Sequence, residues 1–435
     1  MSIPAPRRAV RRLLRPAALL TAVVALVAGC AHGSVTRTTT GDGRRIVHYM
    51  TFTAAPDHLK DLARLAKSFE RSHPGIDVQV QSAPFDQYFT QLQTSAAGGT
   101  APDVFELNQD EFASFADSGA LADLDSRVRA DAVAGHFSAS SLAGFRYDGR
   151  QYGLPSSFST ELLFYNKKLF DAAGVAYPTA DWTWQDEQRA ARKIAALGHG
   201  VFGDYQNTTY LEFTKALAQN GGSFLSEDGT RVAFDSPQGI AAARWLTGKV
   251  GSTMPTQAQM GGSTDYDTRL FEEGKLGIWH SGSWFFPNLA AVHGLSWDVV
   301  QEPAASTATP AESVFQNSLA MSSQSKNADA AWQWMRYLTT SQEVAKLRID
   351  TSWELSPATG ASLRKSYLAQ TPPTNRAAVF EALKHVAPSP QLVHQAQIAD
   401  IVTNELQAVT TGSATVEKAL ATAARQVQPL LSHDD

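Results

Sequence analysis

Aromatic side chains beside small or amide residues recur in stretches that read as loops. Gly282-Ser283-Trp284 is one; Tyr205 and Tyr210, on either side of Gln206-Asn207, form another, and Asn108-Gln109-Asp110 is a purely polar set. Such groups suit a hydroxylated guest. A sugar ring rests its apolar C–H faces on a flat aromatic ring, and its hydroxyl rim pairs with Asp, Asn, Gln or Arg. The aromatic contact contributes about 0.5–1.5 kcal/mol beyond area burial. A buried amide or carboxylate without its hydroxyl partner costs about 1–3 kcal/mol, and that penalty supplies discrimination. Each set also has a plainer reading: ordinary core for Trp284, a helix cap or solvated turn for residues 108–110.

Catalytic sets are missing. Gly274-Lys275 and Gly248-Lys249 lack the upstream glycine of a phosphate loop, and Ser281-Gly282-Ser283 lacks the frame of a nucleophile elbow. The 11 histidines include no H-x-H or H-x-x-x-H pair, and one cysteine cannot build a thiolate site. No metal or cofactor is therefore expected. A glycosidase needs two carboxyls about 5 to 10 Å apart, which sequence cannot reveal. Binding without turnover is the simpler account; a secreted glycosidase or esterase is the rival from the enzyme class.

These residues must be held by alternating strands and helices. Residues 45–52 read as a first strand. Pro56-Asp57 then opens a helix whose apolar residues Leu59, Leu62, Leu65, Ala66 and Phe69 fall at helical spacing and which stops at His73-Pro74-Gly75. Ile76 to Val80 alternates as a strand, residues 87–97 read as a second helix ending at Gly98-Gly99, and residues 102–107 form the next strand. This is the pattern of βαβ units and an α/β sheet. Such sheets bind ligands at the carboxyl ends of their strands, which points to the loops after Thr51 and after Leu107.

The first 29 residues read as an export signal. Arg7, Arg8, Arg11, Arg12 and Arg15 precede an apolar run ending in Val27-Ala28-Gly29-Cys30. That run is shorter than the about 20 residues needed to cross a bilayer. The end resembles a lipobox, in which the thiol of Cys30 takes a lipid; a plain secretory signal or an N-terminal anchor are the alternatives. Residues 30–43, rich in Thr, Gly and Ser, are expected to be a flexible tether. The formal charge is −5, and residues 1–29 carry five arginines and no acid, so the other 406 residues carry −10. A body so acidic lacks the footprint of a nucleic-acid binder.

From His73-Pro74-Gly75-Ile76 onward the chain resembles the extracellular solute-binding proteins of bacterial ABC importers, in the family that includes maltose-binding proteins. The resemblance continues through Gly98-Gly99-Thr100-Ala101-Pro102-Asp103, Ser118-Gly119-Ala120-Leu121, Tyr152-Gly153-Leu154-Pro155, Leu163 to Phe170, Asn220-Gly221-Gly222, Phe271 to Lys275 and Gly282-Ser283-Trp284, ending at Ala330-Ala331-Trp332. It implies a two-lobed α/β fold of the periplasmic-binding-protein kind, with hinge strands and a ligand cleft between the lobes. Lobe 1 would take 44–153 and 312–350, lobe 2 155–300 and 360–435. It further implies a monomer, lipid-anchored outside the cytoplasmic membrane, that delivers a carbohydrate, a mono- or short oligosaccharide, to ABC permease subunits; a peptide, polyamine or anion is the alternative guest.

The resemblance also assigns ligand contacts. Trp284 leads, with Ser283 and with Gly282 letting backbone approach the guest; then come Asn108, Gln109 and Asp110, Thr51 and Phe52, Tyr205 and Tyr210, and Trp353, while Gln316 and Asn317 are added from the residues themselves, as amides just after the 302–312 loop that suit a hydroxyl. Packing is the plainer reading for Thr51 and Phe52, and a strand-end turn for Gln316-Asn317. Tyr165-Asn166-Lys167, Trp279, Trp182, Trp184, Trp332 and Trp334 are expected to be structural. Gln391, His394, Gln395 and Gln397 stand where some oligosaccharide binders carry an aromatic, which argues against a long maltodextrin-like guest.

Overall fold

The computed structural model describes residues 37–431 apart from 54, 264, 307, 359, 389 and 391. The export signal and Cys30 lie outside the described residues.

The chain opens as the alternation requires. Strand β1 (Arg45–Thr51) leads into helix α1 (Pro56–Ser72), with Pro56 in the first turn, where a missing N–H is harmless. Leu62, Leu65, Ala66 and Phe69 form its buried stripe. Strand β2 (Ile76–Ser82), helix α2 (Phe85–Ala97), strand β3 (Val104–Asn108) and helix α3 (Gln109–Asp117) follow. A short hairpin, β4 (Arg146–Tyr147) and β5 (Arg150–Gln151), precedes the long β6 (Gly153–Asn166). Strands β7 (Phe202–Tyr205), β8 (Leu276–Gly282), β9 (Trp297–Val300) and β10 (Val314–Met321) complete the set.

The main sheet runs in the order β2-β1-β3-β10-β6-β8-β7, with β9 also on β6. The first half of β6 pairs antiparallel with β10, and its second half pairs with β8 and β9. The β6–β10 ladder shifts register between Asn317 and Ser318, and the amide of Phe158 donates to Leu355 at 2.9 Å. Two strands and one looser segment therefore run between the halves of the molecule. Hydrophobic cores form two sets: Val47, Phe69, Phe105 and Trp334 are buried on the β1–β3 side, Phe164, Trp279, Phe213 and Leu420 on the β7–β9 side.

Packing explains the tryptophans expected to be structural: Trp184, Trp279, Trp332 and Trp334 are buried, and Trp182 is half-buried. The side chain of Asn166 accepts from the amides of Lys168 and Leu169, so Tyr165-Asn166-Lys167 is a helix start. One expectation fails. Residues 38–43 are not tether: Ile46 donates to the carbonyl of Thr38 at 2.9 Å, Thr40 donates to Arg44, and Asn327 caps Thr38. Backbone hydrogen bonds rather than apolar side chains hold this turn, so composition did not reveal it.

Candidate binding cleft

A cavity of about 170 Å³ lies where β1, β8 and the segment after helix Gln342–Asp350 converge. Phe52, Thr53, Ala55, His58, Trp284, Ser352, Trp353 and Glu354 line it. Phe52 leaves the carboxyl end of β1, as the strand-end rule requires.

Trp284 supplies the open ring. It sits in a short turn after β8, is 38% exposed and meets Phe315 edge-on at 5.2 Å. Gly282 makes this possible in a way the sequence did not suggest. A Cβ at 282 would stand 1.9 Å from Cζ3 of Trp284, so the glycine is there for the indole folded over it, not for a guest's approach to backbone. Trp353 differs. It is only 8% exposed, with His58 stacked on it at 4.6 Å and the Arg348 guanidinium 4.3 Å from its ring centre. It gives the wall an edge rather than a free face.

The polar groups are fixed from behind. Glu354 Oε2 accepts from Ser157 Oγ at 2.8 Å and from Asn317 Nδ2 at 3.4 Å, with Arg348 at 4.0 Å. Held this way, the carboxylate stands ready for a hydroxyl. Burial, and then the charge of Arg348, lower the pKa of His58, which favours a neutral imidazole able both to donate and to accept. Ser352 has φ +53°, a conformation uncommon outside glycine that turns the chain so Trp353 and Glu354 face the cavity.

Of the residues singled out from sequence, Phe52, Trp284 and Trp353 meet at this wall. Thr51 stands one step behind: its buried hydroxyl donates to Glu106 at 2.6 Å and accepts from Thr53 N at 3.0 Å. Asn317 and Gly282 likewise position others, and Ser283 begins the turn carrying Trp284. Asn108 caps α3 by accepting from Glu111 N, the plainer of its two readings. Gln109 and Asp110 are half-buried in the next turn, where burial pushes the Asp110 carboxyl up; neither lines the cavity. Gln316 accepts from Ser141.

Tyr205 and Tyr210 are corrections. Tyr210 is 1% exposed and packs edge-on against Phe224, while Tyr205 is buried with its hydroxyl on Asn207. An aromatic that opens a helix from its inner face is core, whatever amides surround it. His58 and Glu354 were missed, although each adjoins a flagged position: one lies in the helical turn after the Thr51 loop, the other follows Trp353.

The densest acid–base cluster is elsewhere. Lys215 pairs with Glu161 at 2.8 Å, Glu212 at 2.9 Å and Glu302 at 3.3 Å. Lys249 meets Glu187 at 2.6 Å and Asp204 at 3.3 Å, and His280 bridges Glu302 and Glu187. All are buried. Burial and then Glu212 push Glu161 well up. Against burial, Lys249 and His280 hold Glu187 at about 2, while Glu302 and Glu187 raise His280 to about 10. The network ties β6, β7 and β8 to the helices behind them.

A wider depression of about 360 Å³ between α2 and α3 offers one ring, Phe115, and no charged group. Among the described residues no group of three or more His, Cys, Asp or Glu could hold a metal ion, and no helix is long and apolar enough to cross a membrane.

Residues 55–345 match the bacterial extracellular solute-binding protein family. A binding protein of Brucella abortus is 27% identical over 84% of this chain and 88% of its own. An uncharacterized lipoprotein of Streptomyces antibioticus is 27% identical over 51% of this chain and 49% of its own. An ABC substrate-binding protein of Listeria monocytogenes, solved in complex with cycloalternan, is 38% identical, covers 88% of this chain and 98% of its own, and superposes with a TM-score of 0.83.

Proposed function

The chain belongs to the bacterial extracellular solute-binding proteins, and from that membership we propose that it is the receptor of an ABC importer, holding a carbohydrate in the Trp284 cleft and releasing it unchanged to a membrane permease. The observation that carries this reading is the wall itself: an open indole at Trp284 and the ring of Phe52 line one cavity with the positioned carboxylate of Glu354 and the imidazole of His58. Rings for the sugar faces and fixed acceptors for its hydroxyls are what a saccharide requires. The cycloalternan complex of the Listeria relative supports the same guest class.

Lobe 1 comprises 44–153 and 312–350, lobe 2 comprises 155–300 and 360–435, and the cleft lies between them. A guest touching Phe52 from one side and Trp284 from the other favours the closed arrangement by its differential affinity. The permease then reads the closed pair of surfaces. The protein acts as a monomer, anchored by lipid on Cys30 at the outer face of the cytoplasmic membrane, and catalyses nothing.

Titration calorimetry of the purified chain against saccharides, peptides, polyamines and phosphonates tests the reading. Saturable one-to-one heat with a saccharide, recovered intact by chromatography, is expected. Heat from cations, anions or peptides alone, or steady hydrolysis of the sugar, would contradict it.

A further inference from the structure

Three Phe, Tyr or Trp side chains are exposed among the described residues: Phe85, Tyr177 and Trp284. The hydroxyl of Tyr177 donates to Asp171 and its ring packs on Tyr165 and Phe170, which accounts for it. Trp284 lines the cleft. Phe85 is the most exposed large apolar residue, at 57%, and nothing in the fold uses its outer face.

Its position follows from the sheet. β1 and β2 are parallel, with Thr51 opposite Ser82, so the residues leaving both strands emerge side by side. Phe52, on the cavity wall, therefore meets the first turn of α2: Phe85 at 5.5 Å, Tyr88 at 5.4 Å and Phe89 at 6.2 Å between ring centres. The turn is pinned. The hydroxyl of Tyr88 donates towards the carbonyls of Met50 at 3.1 Å and Glu106 at 2.9 Å, and Pro84 fixes the helix entry. A phenyl ring held this firmly in water, continuous with the cleft through Phe52, is a prepared surface rather than a scattered apolar residue.

We propose that Phe85, backed by Phe52 and Phe89, is a second stacking platform that takes a further ring of the guest, so that the bound solute is an oligosaccharide extending from the cavity over the α2 turn. This rests on the saccharide reading above. The cavity's size agrees with it: about 170 Å³ is below the roughly 300–1,000 Å³ of sites that enclose a drug-sized ligand. A guest longer than about one ring must emerge, and on the Phe52 side the surface it meets is aromatic. A hydroxylated ring suits it better than an anion, because Phe85 and Phe89 bring no positive charge and exposed Asp86 stands in the same turn.

The test uses the full chain in detergent, titrated with three saccharide ladders of one to six rings: α-linked gluco-oligomers, arabino-oligomers and β-linked N-acetylglucosamine oligomers. For the ladder that binds, wild-type affinity should rise on adding rings beyond the first. Phe85→Ala should abolish most of that rise, weakening the longer members about five- to tenfold and leaving the single ring unchanged. Phe85→Trp should restore it. Phe85→Ala with wild-type affinity at every length overturns the platform while leaving the saccharide reading intact; so does an equal loss at all lengths. Unchanged binding with loss of uptake in cells also overturns it, and makes the ring a permease contact. No ladder binding to the wild type overturns both.

Discussion

Replacing Gly282 with alanine should disable the cleft while leaving the chain folded. The added Cβ would lie 1.9 Å from Cζ3 and 2.1 Å from Cε3 and Cη2 of Trp284, so something must move. The indole can, because its outer part faces solvent. Moving it forfeits the edge contact with Phe315, about 0.5–1.5 kcal/mol, and forces a poorer rotamer at about 0.5–1.5 kcal/mol. Stability thus falls by roughly 1–3 kcal/mol, which a thermal melt can register. Binding suffers in its own right. With about 200 Å² for the whole ring and 38% of it exposed, about 80 Å² is open to a guest. At about 25 cal/mol per Å² this amounts to about 2 kcal/mol, or about thirtyfold in Kd. Titration calorimetry of Gly282→Ala, Trp284→Ala and the double variant tests the cause. Both changes remove the same ring from the same place, so the double variant should bind no worse than Trp284→Ala alone. Wild-type affinity in Gly282→Ala, or losses that add in the double variant, would refute the argument.

Two further outcomes follow from the polar groups. Glu354→Gln can keep both the Ser157 and Asn317 bonds through its carbonyl oxygen but loses the charge and turns the other carboxylate oxygen into a donor, and saccharide affinity should fall about tenfold; an unchanged Kd in calorimetry removes Glu354 from the site. His280 is raised to about 10 by Glu302 and Glu187 despite its burial, above its ordinary value of about 6.5. Its stabilising share is therefore complete below about 6.5 and is lost as pH climbs towards 10. Melting temperature should drop between pH 7 and pH 10, and His280→Gln, already destabilised by about 3–5 kcal/mol through its unpaired acids, should lose the alkaline part of that slope. A variant that keeps the full slope would show that other groups cause it.

The sequence was most legible where physics is local. Leu62, Leu65, Ala66 and Phe69 bury the helical face their spacing announces, and β1, β2 and β3 alternate with α1 and α2 as read. The loop after Thr51 does reach the cavity, because parallel strands present their carboxyl ends together. What escaped depends on contacts between distant segments. Gly282 is explained by an indole two residues on, and Trp353 loses its open face to His58 and Arg348, which no spacing reveals. Tyr210 has the composition of a sugar platform but faces inward on its helix. The Lys215–Glu302–His280 network joins residues up to 141 positions apart, from Glu161 to Glu302, so nothing local betrays it.

The most direct measurement of the central claim is the heat of mixing the purified chain with the saccharide ladders, followed by chromatography of the recovered sugar. A single saturable site is expected, its Kd raised about thirtyfold in Trp284→Ala, with every sugar molecule returned at its original length. A silent titration across all saccharides, or shortened sugars in the recovered fraction, would contradict it.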